Sequence, residues 1–278
     1  MAERRRTSAW LRVFMGVVFV FLYLPLIVLV VLSFNDAQRS VVSWQGFSVR
    51  WYGEMVRDEA ILGAVGTTLT IAVVVTVIAV VVGTLLALGL ERYTRSSVLD
   101  GAVYFPILVP DIVLGIALLS FYSIIHLSLG IRSIVIAHSV WGIAFAAAIV
   151  RTRLRGFDRS IEEASLDLGV KEIPTFFRIT LPVIWPGVLA AALVVFTLSI
   201  DEFVIAYFTA GQTVTFPIQV YSMIRFGVTP VINAVATVML AFSMLLIVGA
   251  LLVSRPRNAP APTEDEVEAE AEEELMPA

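Results

Sequence analysis

The sequence contains no cysteine, so disulfide bonds, thiolate chemistry and cysteine-ligated metal sites are excluded. The spacing of its two histidines, His126 and His138, matches no metal-binding motif, and we expect His138 to bond a neighbouring helix. Charged residues make up only 15% of the chain, whereas a soluble domain carries about a quarter. A water-soluble core cannot bury a chain of 278 residues that is 59% hydrophobic, so lipid must be the solvent for most of it.

Two further patterns are missing from the chain. No segment reads Gly-x-x-x-x-Gly-Lys-Ser/Thr, the loop that holds the phosphates of ATP, so we expect no nucleotide site here. The arginines lie at the ends of apolar runs rather than on one face, which argues against a nucleic-acid partner. An acidic run at 264–274 supplies most of the negative charge. Because 258–278 has few large apolar residues, we predict that this segment is a disordered, cytoplasmic acidic tail.

Six long apolar stretches dominate what remains. A helix rises 1.5 Å per residue, so about 20 apolar residues cross the ~30 Å hydrocarbon core of a bilayer, and each stretch approaches or exceeds that length. We therefore predict an all-α membrane protein whose transmembrane domain covers residues 1–257. The six predicted spans are 11–34, 65–90, 102–125, 133–151, 184–210 and 230–253.

Positive charge is distributed unevenly between the two sides of these spans. Fourteen of the nineteen lysines and arginines lie before the first span or after the second, fourth and sixth. Because loops rich in Lys and Arg stay in the cytoplasm, we predict that both termini are cytoplasmic. The loop after the first span carries Trp44, Trp51 and Tyr52, which predict a short helix at the membrane interface.

Prolines are placed where they should shape the spans. Pro106 and Pro110 lie within the third span, and each removes a backbone donor, so this helix should bend or break. Pro182 and Pro186 lie near the start of the fifth span, where proline is compatible with a turn and the first residues of a helix.

A polar segment, 152–182, separates the fourth and fifth spans, and we call it the insert. Gly169 suits the left-handed turn that ends a helix, and a second short helix at 174–179 should follow it. The insert could be an ordinary connecting loop, but an apolar face that nothing covers predicts a docking surface for a partner. The apolar residues that recur at the spacing of one helical face are Phe157, Ile161, Ala164 and Leu168.

The insert resembles the EAA loop of bacterial ABC importer permeases. Ser165 stands where that family usually has a second alanine, and both residues are small. The resemblance implies that the insert forms a coupling helix, which sits in a groove of an ATPase subunit. The residues that occupy the positions of the motif are Glu163, Ala164, Ser165, Gly169, Ile179, Leu181 and Pro182.

Other segments resemble the permeases of spermidine/putrescine importers, in particular the second, C-type permease. This resemblance implies a permease subunit, not itself an enzyme, which moves polyamines inward by alternating access in the inner membrane of a bacterium. It implies two ATPase subunits, a second related permease and an extracellular or periplasmic solute-binding protein as partners. ATP and Mg²⁺ would bind the ATPase subunits, and this chain would hold no cofactor. The resembling segments are 33–35, 105–115, 198–204, 218–225, 227–230 and 233–234.

Acidic residues occur at predicted membrane depth. Asp201 and Glu202 fall within the fifth span, and Asp111 lies in the third. An ionisable group at this depth costs several kcal/mol unless it is paired or hydrated, and no span carries a lysine or arginine at that depth. These acids, with the aromatic Tyr207 nearby, predict a path for a cationic cargo, because aromatic faces attract ammonium groups. Alternatively, the acids bond between helices and Tyr207 only packs.

On one continuous helix, Asp201 and Glu202 would point about 100° apart, so one could face the path while the other contacts a neighbouring helix. Three other functions remain open. An importer of the same class could carry a metal ion, an organophosphonate or another amine. A proton-coupled secondary transporter could use the two acids as a proton relay, although the insert would then be unexplained. A non-transporting scaffold would not need acids inside the membrane.

Overall fold

The computed structural model describes residues 9–38, 43–93, 96–226 and 230–254. In these ranges the chain is almost entirely helical, and one isolated bridge, between Asn35 and Phe47, is its only extended pairing. The predicted all-α class is therefore confirmed, whereas the predicted tail at 258–278 lies outside the described residues. The helices are α1 (Ala9–Ser33), α2 (Arg50–Met55), α3 (Glu59–Arg92), α4 (Ser97–Leu108), α5 (Asp111–Ile124), α6 (Ile131–Arg155), α7 (Ser160–Asp167), α8 (Glu172–Thr175), α9 (Leu181–Asp201), α10 (Val204–Thr209), α11 (Phe216–Phe226) and α12 (Val231–Ser254).

Membrane-length helices occur where the sequence predicted most of the spans. In the part of the chain that the structure describes, α1, α3, α6 and the continuous segment Glu172–Asp201 are long and apolar enough to cross a bilayer. The bent pair α4 and α5 would make a fifth span if both halves are counted together. The sixth predicted span, 230–253, coincides with α12, a predominantly apolar helix of 24 residues. Helix α2 lies in the loop where a short helix was predicted.

The third predicted span is broken, as its prolines predicted. Helix α4 ends at Leu108, α5 begins at Asp111, and the two axes differ by 103°. Proline disfavours a helical conformation for the residue before it, and Val109 accordingly has an extended ψ of 129°. Asp111 therefore lies in the first turn after a bend and not in the interior of a straight helix.

The fifth predicted span, 184–210, has other bounds in the structure. The helical segment starts at Glu172, widens to a π-helical turn at Phe176–Thr180 and ends at Asp201. Glu202 is extended, with ψ of 111°, and after it the chain turns into α10. The predictions of one continuous helix through both acids and of a separate short helix at 174–179 were wrong.

Helices α3, α6 and α9 form the centre of the bundle. Small residues allow α3 and α6 to approach closely, since a Cβ on Gly83 would lie 2.7 Å from the Cβ of Ala146. In the same interface a Cβ on Gly142 would lie 3.2 Å from the Cβ of Ala79. Lipid tails are as apolar as leucine, so helices in a membrane associate through such close packing instead of through the hydrophobic effect. This packing brings the last turns of α3 and α6 together with the first turn of α9, beside the insert.

Candidate functional site

The insert is built around α7, which ends at a glycine. Gly169 has φ of +83°, a left-handed conformation that costs glycine nothing because it has no Cβ. Its amide donates to the Leu166 carbonyl at 2.9 Å, and the Val170 amide donates to the Ser165 carbonyl at 3.2 Å. These bonds satisfy carbonyls that the end of the helix would leave open, so the predicted role of Gly169 as the helix stop is confirmed.

The insert exposes several apolar side chains, and we call these positions together the insert face. Leu168 is 85% exposed, and Ile173 and Phe177 are 72% and 60% exposed. Phe157, which the spacing assigned to this face, is buried instead. The reason is that α6 stops at Arg155 and α7 starts at Ser160, so the helical phase is interrupted between them. The insert face consists of Ile161, Ala164, Leu168, Ile173 and Phe177.

The residues of the EAA-like motif divide between surface and interior. Glu163 and Ala164 are exposed, whereas Ser165 is buried with its hydroxyl 3.0 Å from that of Thr175 on α8. A small hydroxyl residue at this position therefore ties α7 to the segment that leads into α9.

The second half of the motif lies at the foot of α9. Ile179 and Leu181 are partly buried, and Leu181 packs against the central core. Pro182 is exposed and follows the π-helical turn inside the continuous helix Glu172–Asp201, so it does not mark a helix start as predicted. Its missing amide removes one helical hydrogen bond there. Helix α7 contacts both α8 and the π-helical turn, so the structure brings the two halves of the motif together.

The reasoning from sequence missed the acid that holds α7 in place. Glu162, beside the exposed Glu163, is only 7% exposed, and its carboxylate accepts hydrogen bonds from Arg92 and from the Thr180 hydroxyl. Arg92 is the last residue of α3, and Thr180 is fully buried in the π-helical turn. One carboxylate thus joins α3, α7 and the foot of α9. The adjacent acids look alike in the sequence, and nothing local distinguishes the buried one.

A second charged cluster adjoins the first. Arg151 on α6 donates to Glu91 of α3 at 2.8 Å and to Asp100 of α4 at 2.7 Å, and it reaches the Tyr104 hydroxyl at 3.3 Å. Arg155 also pairs with Glu91, at 3.7 Å. Charge-assisted bonds of this kind are short and directional, so they hold the ends of three helices in one arrangement.

A cavity of about 230 Å³ opens beneath α7. Acidic and basic side chains share its wall with Leu166 and Phe176, so its lining is of mixed character. The nearby Asp158 is fully solvated, and the Ser160 amide holds the pKa of its carboxyl below the usual range. The residues that line the cavity are Arg92, Tyr93, Arg159, Glu162, Glu163, Leu166, Glu172, Thr175, Phe176 and Thr180.

The three acids predicted for the membrane lie at helix breaks. Asp201 is the last residue of α9 and is exposed, whereas Glu202 is half-buried and accepts a hydrogen bond from the Ile205 amide at 2.8 Å. Asp111 opens α5, which packs against α10, and the charges of Asp111 and Glu202 are close enough to repel each other. Among the described residues none of these acids has an ion-pair partner.

Three aromatic rings form a cluster beside these acids, which we call the aromatic triangle. The Phe203 ring lies 5.5 Å from that of Tyr207 and 5.0 Å from that of Tyr221, and the two tyrosine rings are 5.9 Å apart. Tyr207 is 47% exposed and Tyr221 is 39% exposed, so both present part of a ring surface outside the bundle. Tyr221 belongs to α11 and was not predicted, because more than a dozen residues separate it from the acids along the chain.

His138 contacts a neighbouring helix, as predicted. It is buried on α6, and its Nδ1 lies 2.9 Å from the hydroxyl of Ser199 on α9, two residues before Asp201. This pair holds α6 against the last turn of α9. In the described ranges no three His, Asp or Glu side chains come together in a way that could hold a metal ion.

Known proteins resemble this chain in sequence and in fold. Residues 79–258 match the family model described as "Binding-protein-dependent transport system inner membrane component". The chain belongs to this family. The matched region of the permease contains the insert, the bend before Asp111, the break at Glu202 and the aromatic triangle, so both candidate sites lie within the family domain.

Individual relatives of the permease agree with this assignment. It is 41% identical over 243 residues to the putrescine transport system permease protein PotI of Escherichia coli K12, covering 84% of this chain and 86% of that protein. It is 35% identical over 248 residues to the spermidine/putrescine transport system permease protein PotC of Haemophilus influenzae, covering 88% and 96%.

Solved structures share the fold of the permease at low sequence identity. A bacterial ABC transporter that imports alginate matches with a TM-score of 0.65 at 15% identity, covering 92% of this chain and 99% of that chain. The MetNI methionine ABC transporter, in an inward-facing conformation, matches with a TM-score of 0.59 at 18% identity. The match covers 77% of this chain and 100% of that chain. At these identities the likeness concerns the fold alone.

Proposed function

We propose that this permease is a subunit of an ATP-driven importer that moves polyamines, putrescine or spermidine, into the cytoplasm. The observation that carries the proposal is the position of three acids, which have no ion-pair partner among the described residues, and of an exposed aromatic triangle at two adjacent helix breaks. The named function of the relatives PotI and PotC supports polyamines as the cargo. Putrescine and spermidine are flexible cations, and a path for them needs negative charge and ring faces at membrane depth.

The acids would accept the cargo where the helices are interrupted. Asp201 ends α9 and Asp111 begins α5, and both are exposed, so their carboxylates would be accessible to ammonium groups. Tyr207 and Tyr221 would contact the same groups through their ring faces, which are worth about 0.5 to 2 kcal/mol per contact. Glu202 supports this site mainly through its carboxylate, which accepts a hydrogen bond from the Ile205 amide in the first turn of α10.

The insert face would dock on an ATPase subunit. This chain has no phosphate-binding loop, so ATP and Mg²⁺ would belong to two partner ATPases, and the chain would hold no cofactor. Closure of the ATPases would pull on α7, and the contacts of Ser165 and Glu162 would pass the movement to α9 and α3. The two helix breaks would then alternate between outward and inward access.

The remaining parts of the assembly follow from the exposed surfaces and the charge distribution. We propose six spans, with the bent pair α4 and α5 as the third and α12 as the sixth, in the inner membrane of a bacterium with both termini cytoplasmic. Helix α1 packs against α12 and is exposed over residues 10–28, which leaves room for a second, related permease. A periplasmic or extracellular solute-binding protein would deliver the cargo.

Transport assays with the complete assembly test this function. The permease would be purified with its ATPases, partner permease and binding protein, and placed in vesicles that contain ATP. We expect uptake of labelled putrescine or spermidine that requires ATP and is unaffected by collapse of the proton gradient. An organophosphonate and a divalent metal ion serve as matched cargo controls. Uptake driven by a proton gradient without ATP, or uptake of a control cargo in place of polyamine, would contradict the proposal.

A further inference from the structure

The last turn of α3 joins two networks of charged residues that face different helices. Glu91 and Arg92 are neighbours in the chain, yet Arg92 pairs with Glu162 of the insert while Glu91 pairs with Arg151 of α6. Neighbouring residues of one helical turn are held together by the rigid backbone. If the end of α3 moves with Arg92, Glu91 must therefore move as well.

The contact on the insert side is tightly held. The Glu162 carboxylate is buried, and both of its partners donate hydrogen bonds to the same oxygen. Loss of the Arg92 charge would leave the buried Glu162 carboxylate without a counter-charge, which is more costly than loss of a surface pair. Helix α7 therefore cannot shift relative to the end of α3 without breaking this contact.

The contact on the other side leads away from the insert. Arg151 uses its Nε for Glu91 and its Nη1 for Asp100, so it bridges α3 to α4 at 2.8 and 2.7 Å. Tyr104, one turn further along α4, also accepts a hydrogen bond from Arg151. Helix α4 ends at the 103° bend before Asp111.

We propose that Glu91 and Arg92 are positioning residues that transmit the movement of the insert to α4 and so to the bend that carries Asp111. This inference rests on the proposed function. It adds a route to the direct one from the insert into α9. The route into α9 leads to Asp201 at the end of that helix, and the route into α4 leads to the bend before Asp111. The two routes together would move both helix breaks, so both acids would switch between outward and inward access in one step.

Distance measurements between spin labels separate the two routes. The chain has no cysteine, so a pair of introduced cysteines would be its only labelling sites. One pair of labels would be placed at Val98 on α4 and Ile136 on α6. A second pair would be placed at Val183 on α9 and Ile136. All three side chains are exposed. Each distance would be measured in the complete assembly without nucleotide and with a non-hydrolysable ATP analogue.

In the unsubstituted assembly we expect both distances to change when the nucleotide binds. Arg92→Gln and Glu91→Gln should each abolish the nucleotide-dependent change in the Val98–Ile136 distance. Both should preserve the change in the Val183–Ile136 distance. Uptake per ATP hydrolysed should fall about tenfold, within the usual range of coupling between sites. The double variant should show no further loss, because both changes interrupt one route.

Controls distinguish this role from a purely structural one. Arg57→Gln removes an exposed arginine near the opposite end of α3 and should change neither distance nor coupling. Thermal melting and copurification of the ATPases establish assembly, and Glu91→Gln serves if Arg92→Gln does not assemble. A change for Val98 that persists in an assembled variant would overturn the inference. Absence of ATP-dependent uptake in the unsubstituted assembly would instead overturn the proposed function.

Discussion

The Glu202 carboxylate accepts a hydrogen bond from the Ile205 amide at 2.8 Å, across the break between α9 and α10. A side-chain acceptor at the start of a helix satisfies one of the amides that have no partner in the first turn. This bond offsets part of the cost of placing a carboxylate in an apolar setting. Asp201, the preceding residue, is exposed, and its carboxylate makes no hydrogen bond to any residue that the structure describes. The two adjacent acids therefore differ in their environment. The Glu202 carboxylate bonds the backbone of the next helix, whereas the Asp201 side chain is exposed.

The difference between these acids can be tested by removing their charges separately. Asp201→Asn should cut polyamine uptake sharply and leave the melting temperature unchanged or slightly raised, because an unpaired charge is removed. Glu202→Ala should lower the stability by about 1 kcal/mol through loss of the helix cap. Glu202→Gln retains an acceptor oxygen and is the matched control. Melting temperature and uptake would be measured on the same preparations. Normal uptake by both Asp201→Asn and Glu202→Gln would remove these acids from the path.

Gly169 should tolerate only residues that accept a positive φ. Gly169→Val introduces a β-branched side chain at φ of +83° and should destabilise the insert by about 1 to 2 kcal/mol. Gly169→Asn should be milder, because asparagine adopts this conformation more readily. Proteolysis of the insert and ATPase activity stimulated by the loaded binding protein would report the difference. If the two variants had equal protease sensitivity and equal stimulated ATPase activity, the left-handed turn would not be required for coupling between the insert and the ATPase.

The insert face should be required for binding of the ATPase. Leu168→Glu places a charge at the most exposed position of that face and should abolish copurification of the ATPase, while the permease still assembles in the membrane. Leu168→Met preserves the apolar surface and should bind normally. Pull-down with the tagged ATPase measures the effect. Binding retained by Leu168→Glu would indicate that the ATPase docks elsewhere.

The aromatic triangle should contribute to the affinity for cargo. Tyr221→Leu removes a ring 5.0 Å from that of Phe203 and should weaken the apparent affinity for spermidine about 2- to 30-fold. Tyr207→Phe keeps the ring and should have a small effect, which distinguishes contact through the ring face from bonding by the hydroxyl. The concentration dependence of uptake provides the measurement. Unchanged affinity in Tyr221→Leu would mean that the rings only pack.

Local signals explain which features could be predicted from the sequence. Apolar length and period define most of the membrane-length helices, Pro110 stops a helix at the residue before it, and Gly169 is the residue for a left-handed turn. These properties depend on a residue and its immediate neighbours. The spacing of the EAA-like motif likewise predicted the family, to which the chain belongs.

Contacts between distant residues determined the rest. The end of α9 has no proline or glycine, so the break at Glu202 follows from the bond that this side chain makes and from the packing of α10 on α5. Phe157 is buried and Leu168 exposed, although their spacing places both on one helical face. Glu162 and Glu163 are identical in the sequence, but only Glu162 faces Arg92, 70 positions away along the chain. Burial of a charge requires a partner, and only the tertiary structure brings that partner into contact.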